Sequence, residues 1–367
     1  VKLMFKFQPD EFIVEEKTKG GVQLEAGKEY EFPDEETDDR KFFSYFVLEK
    51  RDWGTQRALK AIARALHAKA SRFNAAGNKD RNAMTVQLCS AFCVQPERLL
   101  SIRVKDIQVR GAWKAKEKIR MGDLQGNRFT ITLNKENCGV EPDANTIRQN
   151  AEQSKFLFKN YFGYQRFGSA RSNTATVGLH LLKGDFEAAV KEYLLGEGDA
   201  QEEAAAARSR LKKELDYKAA LEYYPHWLKF ERTLLGYLAM HPTDYAGALR
   251  KFQRGVQLLF IHAAQSQLFN DELLAFEGDW DESLEGNLVG FESKANDFES
   301  AWLEERGLSI ESFKMQRAPE LSCRGNKRKL FAQMDGFEVL SESAVKLKFS
   351  LASGCYATTA LENLLGK

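Results

Sequence analysis

"AAGNKDRNAMTVQ", residues 75–87, sets one carboxylate, Asp80, between two cations, Lys79 and Arg81. A small, glycine-bearing turn leads into the triplet. The alternating run that leaves it, "AMTVQLC", places Met84, Val86 and Leu88 on one side of a predicted strand. The triplet has two readings. It is a surface turn that balances its own charge, or a carboxylate that flanking cations hold ionised for chemistry. The surrounding chain decides between them.

Upstream and downstream, the first 135 residues read as short strands with helices between. "EFIVEE" (11–16), "FFSYFVLEK" (42–50) and "NRFTITL" (127–133) are β-rich, and "KLMFKF" (2–7) alternates with Leu3, Phe5 and Phe7 opposed to Lys2, Met4 and Lys6. "TQRALKAIARALHAKA" (55–70) carries Leu59, Ile62 and Leu66 at helical spacing, with Thr55 as a candidate N-cap. From about 180 to 320 the pattern turns helical. "GDFEAAVKEYL", "AQEEAAAARSRLKKELDYKAALEYY" and "YAGALRKFQRGVQLLFIHAAQSQLFNDELLAF" follow one another, the last with Leu249, Phe252, Val256 and Leu259 in helical phase. No repeat of fixed period runs through this block, which argues against a solenoid. "AVKLKFSL" (344–351) then alternates strictly, and a Gly354 turn precedes the short helix "TTALENLLG". A strand that returns after a helical block predicts an α+β domain interrupted by an insertion and completed by the C-terminal segment.

The chain of 367 residues is long enough for two domains. No apolar run reaches eighteen residues, so no membrane span is expected. The start, "VKLMFKFQPDEF", lacks the features of a signal peptide, and a cytoplasmic protein is expected. The five cysteines are scattered, with only Cys89 and Cys93 close, and reduced thiols are the expected state. The net charge of +1 conceals an asymmetry: residues 41–130 hold 19 Lys or Arg against 7 Asp or Glu, whereas residues 271–305 hold 12 acids against Lys294 alone. The first imbalance suits a polyanion, and the competing reading is a pair of solvated faces that differ in sign.

Absent motifs narrow the chemistry. The chain has no phosphate-loop or dinucleotide fingerprint, no G-x-S-x-G nucleophile turn, and no pairing among its five histidines that would suit a metal. The expected chemistry runs on a carboxylate, with no metal and no cofactor. A second dense cluster, "KNYFGYQRFGSARSN" (159–173), mixes Tyr161, Phe162, Tyr164 and Phe167 with Lys159, Arg166 and Arg171. Unstacked bases need flat π-faces and their backbone needs cations. On composition alone, however, such aromatics more often pack a core.

Taken together, "GNKDRNAMTVQ" and "NYFGYQRFG" resemble the TruD family of pseudouridine synthases, and further segments follow in the family's order: "PDEFIVEE", "GDLQGNRFTITL", "HAAQSQLFND" and "LKFSLASGCYATTALENLL". Lys159 stands where the family often has proline. The resemblance implies a pseudouridine synthase catalytic domain with a mixed, largely antiparallel sheet. Residues 1–180 and 321–367 would form it, around a mainly helical insertion domain at 181–320. It implies isomerisation of a tRNA uridine, at position 13, by an enzyme without cofactor, metal or membrane partner; the sequence leaves the oligomeric state open, with a monomer favoured. Asp80 would be the catalytic aspartate and Lys6 the lysine that contacts it. Phe162 would pack on the target base, Asn160 would order the site, and Lys79, Arg81 and Arg166 would bind RNA. Another reading is a non-catalytic RNA-binding or RNA-folding protein on the same scaffold.

Overall fold

The computed structural model describes residues 5–38, 40–168, 171–198, 201–342 and 344–366. The chain forms two compact units, one running to Lys159 and resuming at Ala332, the other spanning Asn160–Phe331.

The first unit is built on one sheet. Its strands are β1 (Phe12–Thr18), β2 (Phe43–Arg51), β3 (Phe73–Ala75), β4 (Met84–Phe92), β5 (Ile107–Ala115) and β6 (Leu124–Thr132), joined by Asp335–Ser341 and Lys346–Ala352. From one edge the order is 335–341, 346–352, β6, β1, β4, β2, β5, with β3 also paired to β4. Every neighbouring pair is antiparallel except β1 with β4, where Val14 lies beside Thr85. The returning strand is zipped onto β6, with Leu347 opposite Ile131 and Phe349 opposite Phe129.

Strict alternation gives each strand a face to bury. Phe46 and Leu48 of β2 and Cys89 and Ala91 of β4 pack under the helix Thr55–Ala65, which sets Ala58, Leu59 and Ile62 against them. Further along the sheet, Phe12, Val14, Phe129, Ile131, Leu347 and Phe349 meet the helices Ala144–Gln153 and Ala357–Leu364. Each such large apolar side chain contributes about 1.5–3 kcal/mol by leaving water. On the opposite face an irregular segment lays Leu24, Tyr30 and Phe32 near Val47, Val86 and Trp113.

The expected first strand differs. Residues 2–4 lie outside the described residues, and Phe5–Phe7 make no sheet ladder. Ring packing secures this stretch instead, with Phe5 on Phe7 at 5.7 Å and Phe7 on Phe12 at 4.9 Å.

The second unit is mainly helical, and its core gathers Val177, Leu181, Val190, Leu211, Leu235, Phe260, Ile261 and Leu268. Its axis is the helix Arg254–Ala275, against which Thr174–Leu182 packs. Gly178 permits that approach: a Cβ there would stand 2.0 Å from the Phe260 carbonyl oxygen. Two expected helices break. In 200–224 the chain turns at Leu215, with φ 49°, and Asp216 caps a new helix by accepting from Lys218 N and Ala219 N. In 245–276 the helix proper starts at Arg254, which leaves Leu249 and Phe252 before it, and Leu259 is exposed.

The boundaries expected at 180 and 320 fall instead after Lys159 and Phe331. Hydrogen bonds explain the shift. Phe162 N donates to Asn270 Oδ1 at 2.8 Å, and Asn270 Nδ2 donates to Phe162 O at 2.9 Å. Downstream, Asn326–Lys329 forms a ribbon with Glu285–Leu288. Both flanks thereby belong to the helical unit. Among the described residues no helix is long and apolar enough to cross a membrane. Among the described residues, Cys89, Cys93, Cys138 and Cys323 are free thiols.

Candidate active site

Asp80 lies in the loop that joins β3 to β4, and the loop is tied down by side chains from four other places in the first unit. Gln87 Nε2 donates to Gly77 O at 3.0 Å. Thr55 Oγ1 accepts from Lys79 N at 2.9 Å and donates to Gln87 Oε1 at 2.9 Å. Thr55 is therefore not the N-cap of its helix; Gly54 takes that position, and the threonine hydroxyl holds the loop.

The two flanking cations point elsewhere. Lys79 turns inward, and its Nζ meets Glu16 Oε2 at 2.7 Å with both side chains buried. Glu16 Oε1 accepts from Leu88 N at 3.0 Å, which fixes the carboxylate between β1 and β4. Removing one partner of such a pair strands the other's charge, at about 3–5 kcal/mol. Arg81 reaches outward to Asp52, 3.1 Å away, in an exposed pair that contributes little.

A third cation takes the place expected of them. Lys50 of β2 is only 1% exposed, and its ammonium donates to the backbone oxygen of Asp80 at 3.0 Å and to that of Trp53. Among the described residues it forms no ion pair. Its position was readable in the strand: Lys50 is in phase with Phe46 and Leu48, the residues of β2 that pack into the core. Glu16 is likewise in phase with Phe12 and Val14.

The expectation that neighbouring cations lower the Asp80 carboxyl is corrected by the balance of effects. Burial raises it above the ordinary carboxylate range, and Lys50, then Lys79, pull it back only partly. The residue keeps an exposed outer surface, yet the protein packed beneath it removes enough hydration for burial to win. Lys50 responds in the opposite sense. Burial lowers its amine to about 8, against the attraction of Asp80 and Cys89.

Lys6 is exposed, its backbone N donates to Asn137 O at 2.9 Å, and it is not among the charges acting on Asp80.

The other expected residues sit together in the second unit. Asn160 is buried and fully engaged: its N donates to Leu330 O at 2.8 Å, its Nδ2 to Lys329 O at 3.0 Å, and its Oδ1 accepts from Arg328 at 2.6 Å. That last bond steers the Arg328 guanidinium over the Phe162 ring, 4.1 Å from its centroid. Phe162 is buried, Phe269 meets it edge-on at 5.7 Å, and Arg166 lies 5.3 Å from the ring centre. Arg328, like Lys50, was missed from sequence. No three His, Cys, Asp or Glu side chains among the described residues converge as a metal site.

The chain as a whole has counterparts among known proteins. The family model described as tRNA pseudouridine synthase D (TruD) matches residues 2–300 and 283–364. A Methanopyrus kandleri protein named "Probable tRNA pseudouridine synthase D" is 36% identical over 344 residues, covering 88% of this chain and 85% of that one. A Methanocaldococcus jannaschii protein named "Probable tRNA pseudouridine synthase D 1" is 31% identical, covering 99% and 95%. A crystal structure described as TruD from Methanosarcina mazei matches with a TM-score of 0.72 at 27% identity, over 100% of this chain and 94% of its own. The α+β fold, with its mixed sheet, is thus that of an isomerase of the pseudouridine synthase class. The chain belongs to the tRNA pseudouridine synthase D family.

Proposed function

We propose that the protein converts a uridine of tRNA, at position 13, to pseudouridine, with Asp80 as the carboxylate that carries the chemistry and with no cofactor. The reaction breaks the C1′–N1 bond, turns the uracil and rejoins it to the sugar through C5. An ionised carboxylate can serve as nucleophile, at the sugar C1′ or the base C6, or as base. The observation that carries the reading is the seating of Asp80. Its loop is pinned by Thr55, Gln87 and the buried Lys79–Glu16 pair, and Lys50 holds its backbone oxygen. Such anchoring fixes a reacting group against a substrate that must be flipped out of its stack.

The resemblance assigns Lys6 to Asp80 and Phe162 to the target base, and both assignments belong to this proposal. Asn160 acts by setting Arg328 over the aromatic ring. Lys79 supports Asp80 from within, while Arg81 and Arg166 are offered to the RNA. The fold and the tRNA substrate suit a cytoplasmic enzyme.

The decisive variant is Asp80→Asn. Isomerisation, read by carbodiimide labelling of pseudouridine in tRNA, should be abolished. Affinity should stay within a few-fold of wild type, because many phosphate contacts supply it. Substantial turnover by a variant preparation free of wild-type enzyme would overturn the assignment.

A further inference from the structure

Within the second unit, a cavity of about 310 Å³ lies where three segments meet. The long helix contributes His262, Gln265 and Ser266, which share one of its faces. The turn at 164–167 contributes Arg166, the loop before the ribbon strand Asn326–Lys329 contributes Arg324, and that strand's first residue is Asn326. We propose that this cavity is a phosphate subsite, in which Arg166 and Arg324 seat a backbone phosphate of the RNA strand. The proposal rests on the reading of the chain as an RNA-acting enzyme.

Charge is the first argument. Among the described residues, two guanidiniums line the cavity and no carboxylate does. Glu292 approaches Arg324 only to 3.7 Å, between side chains 56% and 78% exposed, so water screens the pair and it competes weakly for the guanidinium. Burial, and then Arg166, push the His262 imidazole toward its neutral form. The cation field is therefore that of the two arginines, whose planar, multi-donor groups match phosphate oxygens.

Geometry is the second argument. Arg166 Nε donates to Ser266 Oγ at 3.1 Å, and Ser266 Oγ in turn donates to His262 O at 2.7 Å. This chain of bonds orients one guanidinium from the helix floor. Gln265 is buried and spends its amide on Val289 O, so it closes the cavity rather than reaching into it. The volume lies at the lower end of the range for small-ligand sites and exceeds what a bare phosphate fills, which leaves space for the attached sugar.

Position is the third. The basic run "CRGNKRK" (323–329) reads from sequence as part of the C-terminal return, but the structure keeps it in the helical unit. There Arg324 faces the cavity while Arg328 covers Phe162, and Arg166 touches both places. The phosphate grip and the aromatic ring are thus neighbours in one unit.

The test uses the full chain and a tRNA substrate in which single phosphates are replaced by neutral methylphosphonates. For wild type, several backbone positions should weaken binding when neutralised, and one of them is the phosphate seated in this cavity. Arg324→Gln, an exposed substitution that should leave the fold intact, should bind the native RNA several-fold more weakly. It should lose its sensitivity at that one position and flatten the dependence of log K on log salt by about 0.7–0.9. Glu292→Gln should not weaken binding. If Arg324→Gln keeps the wild-type salt slope and the same methylphosphonate profile, the subsite is refuted while RNA binding stands. If the wild-type chain shows no salt-sensitive RNA binding, the proposed function itself falls.

Discussion

Lys50 offers a measurement in which charge burial and loop anchoring can be separated. Its amine falls from 10.5 to about 8 on folding, equivalent to about 3 kcal/mol in favour of the neutral form. Between about pH 8 and 10.5 the unfolded chain therefore holds a proton that the folded chain has lost. Stability from this group rises with pH across that window and is absent below it. Lys50→Met has nothing to titrate. At pH 7 the substitution removes hydrogen bonds to the Asp80 and Trp53 carbonyls, about 1–3 kcal/mol. It also removes a charge-burial cost of similar size. Wild type and variant should then unfold within about 2 kcal/mol of each other at pH 7. At pH 10 the wild type should gain roughly 2–3 kcal/mol on the variant. Urea unfolding at both pH values measures the difference, since shifts at other groups cancel between the two proteins. Activity supplies the second readout. With Lys50 gone, Asp80 loses the larger of the two attractions that lower its carboxyl, so the acid limb of the pH–rate profile should move upward. A stability difference that is flat from pH 7 to 10, together with an unmoved acid limb, would refute the argument.

Two further outcomes test the flanks of the site. Lys6→Met should leave stability unchanged within about 0.5 kcal/mol, because the side chain is exposed, and should lower single-turnover isomerisation strongly; an unchanged rate would show that the lysine does not reach Asp80 during turnover. Replacing Lys114, Lys116 and Lys118 together with Gln should reduce the salt slope of tRNA binding by up to about 2–3 while sparing the single-turnover rate at saturating RNA, and an unchanged slope would remove this segment from the RNA footprint.

How much the sequence disclosed depended on whether local pattern carried the information. Alternation in "FFSYFVLEK" and "AVKLKFSL" predicted strands, and the structure has them at Phe43–Arg51 and Lys346–Ala352, since a half-buried strand writes its faces into the chain at period two. The α+β class and the family resemblance were legible for the same reason, with motifs falling in order. The long helical runs misled at Leu215 and after Leu249, where composition continues but the backbone turns. Thr55 looked like a cap because it precedes a helix, and only tertiary contact shows its hydroxyl turned to Lys79. The charges at the site were the least legible part. Neighbours in sequence, Lys79 and Arg81, proved to be committed to Glu16 and Asp52, whereas the cation that supports Asp80 lies thirty residues away. Partner choice among ionic side chains depends on the third dimension, and one-dimensional proximity is a poor guide to it. The domain limits failed similarly, because Phe162 and Asn270 are joined by hydrogen bonds that no local pattern announces.

The zipping of Lys346–Ala352 onto β6 has a bearing on how the protein is made. Thr132 and Lys346 are partners in the sheet, yet some two hundred residues separate them along the chain. A ribosome adding about 5–20 residues each second takes roughly 10–40 s to supply that length. During this interval β6 has its place beside β1 but presents an unpaired edge, with Phe129 and Ile131 lacking the Phe349 and Leu347 that later cover them. An open edge of this kind invites pairing with a neighbouring nascent chain. The helical unit is contiguous in sequence and rich in local contacts, so it can fold while the wait lasts. The sheet unit, although begun first, is the last to be finished.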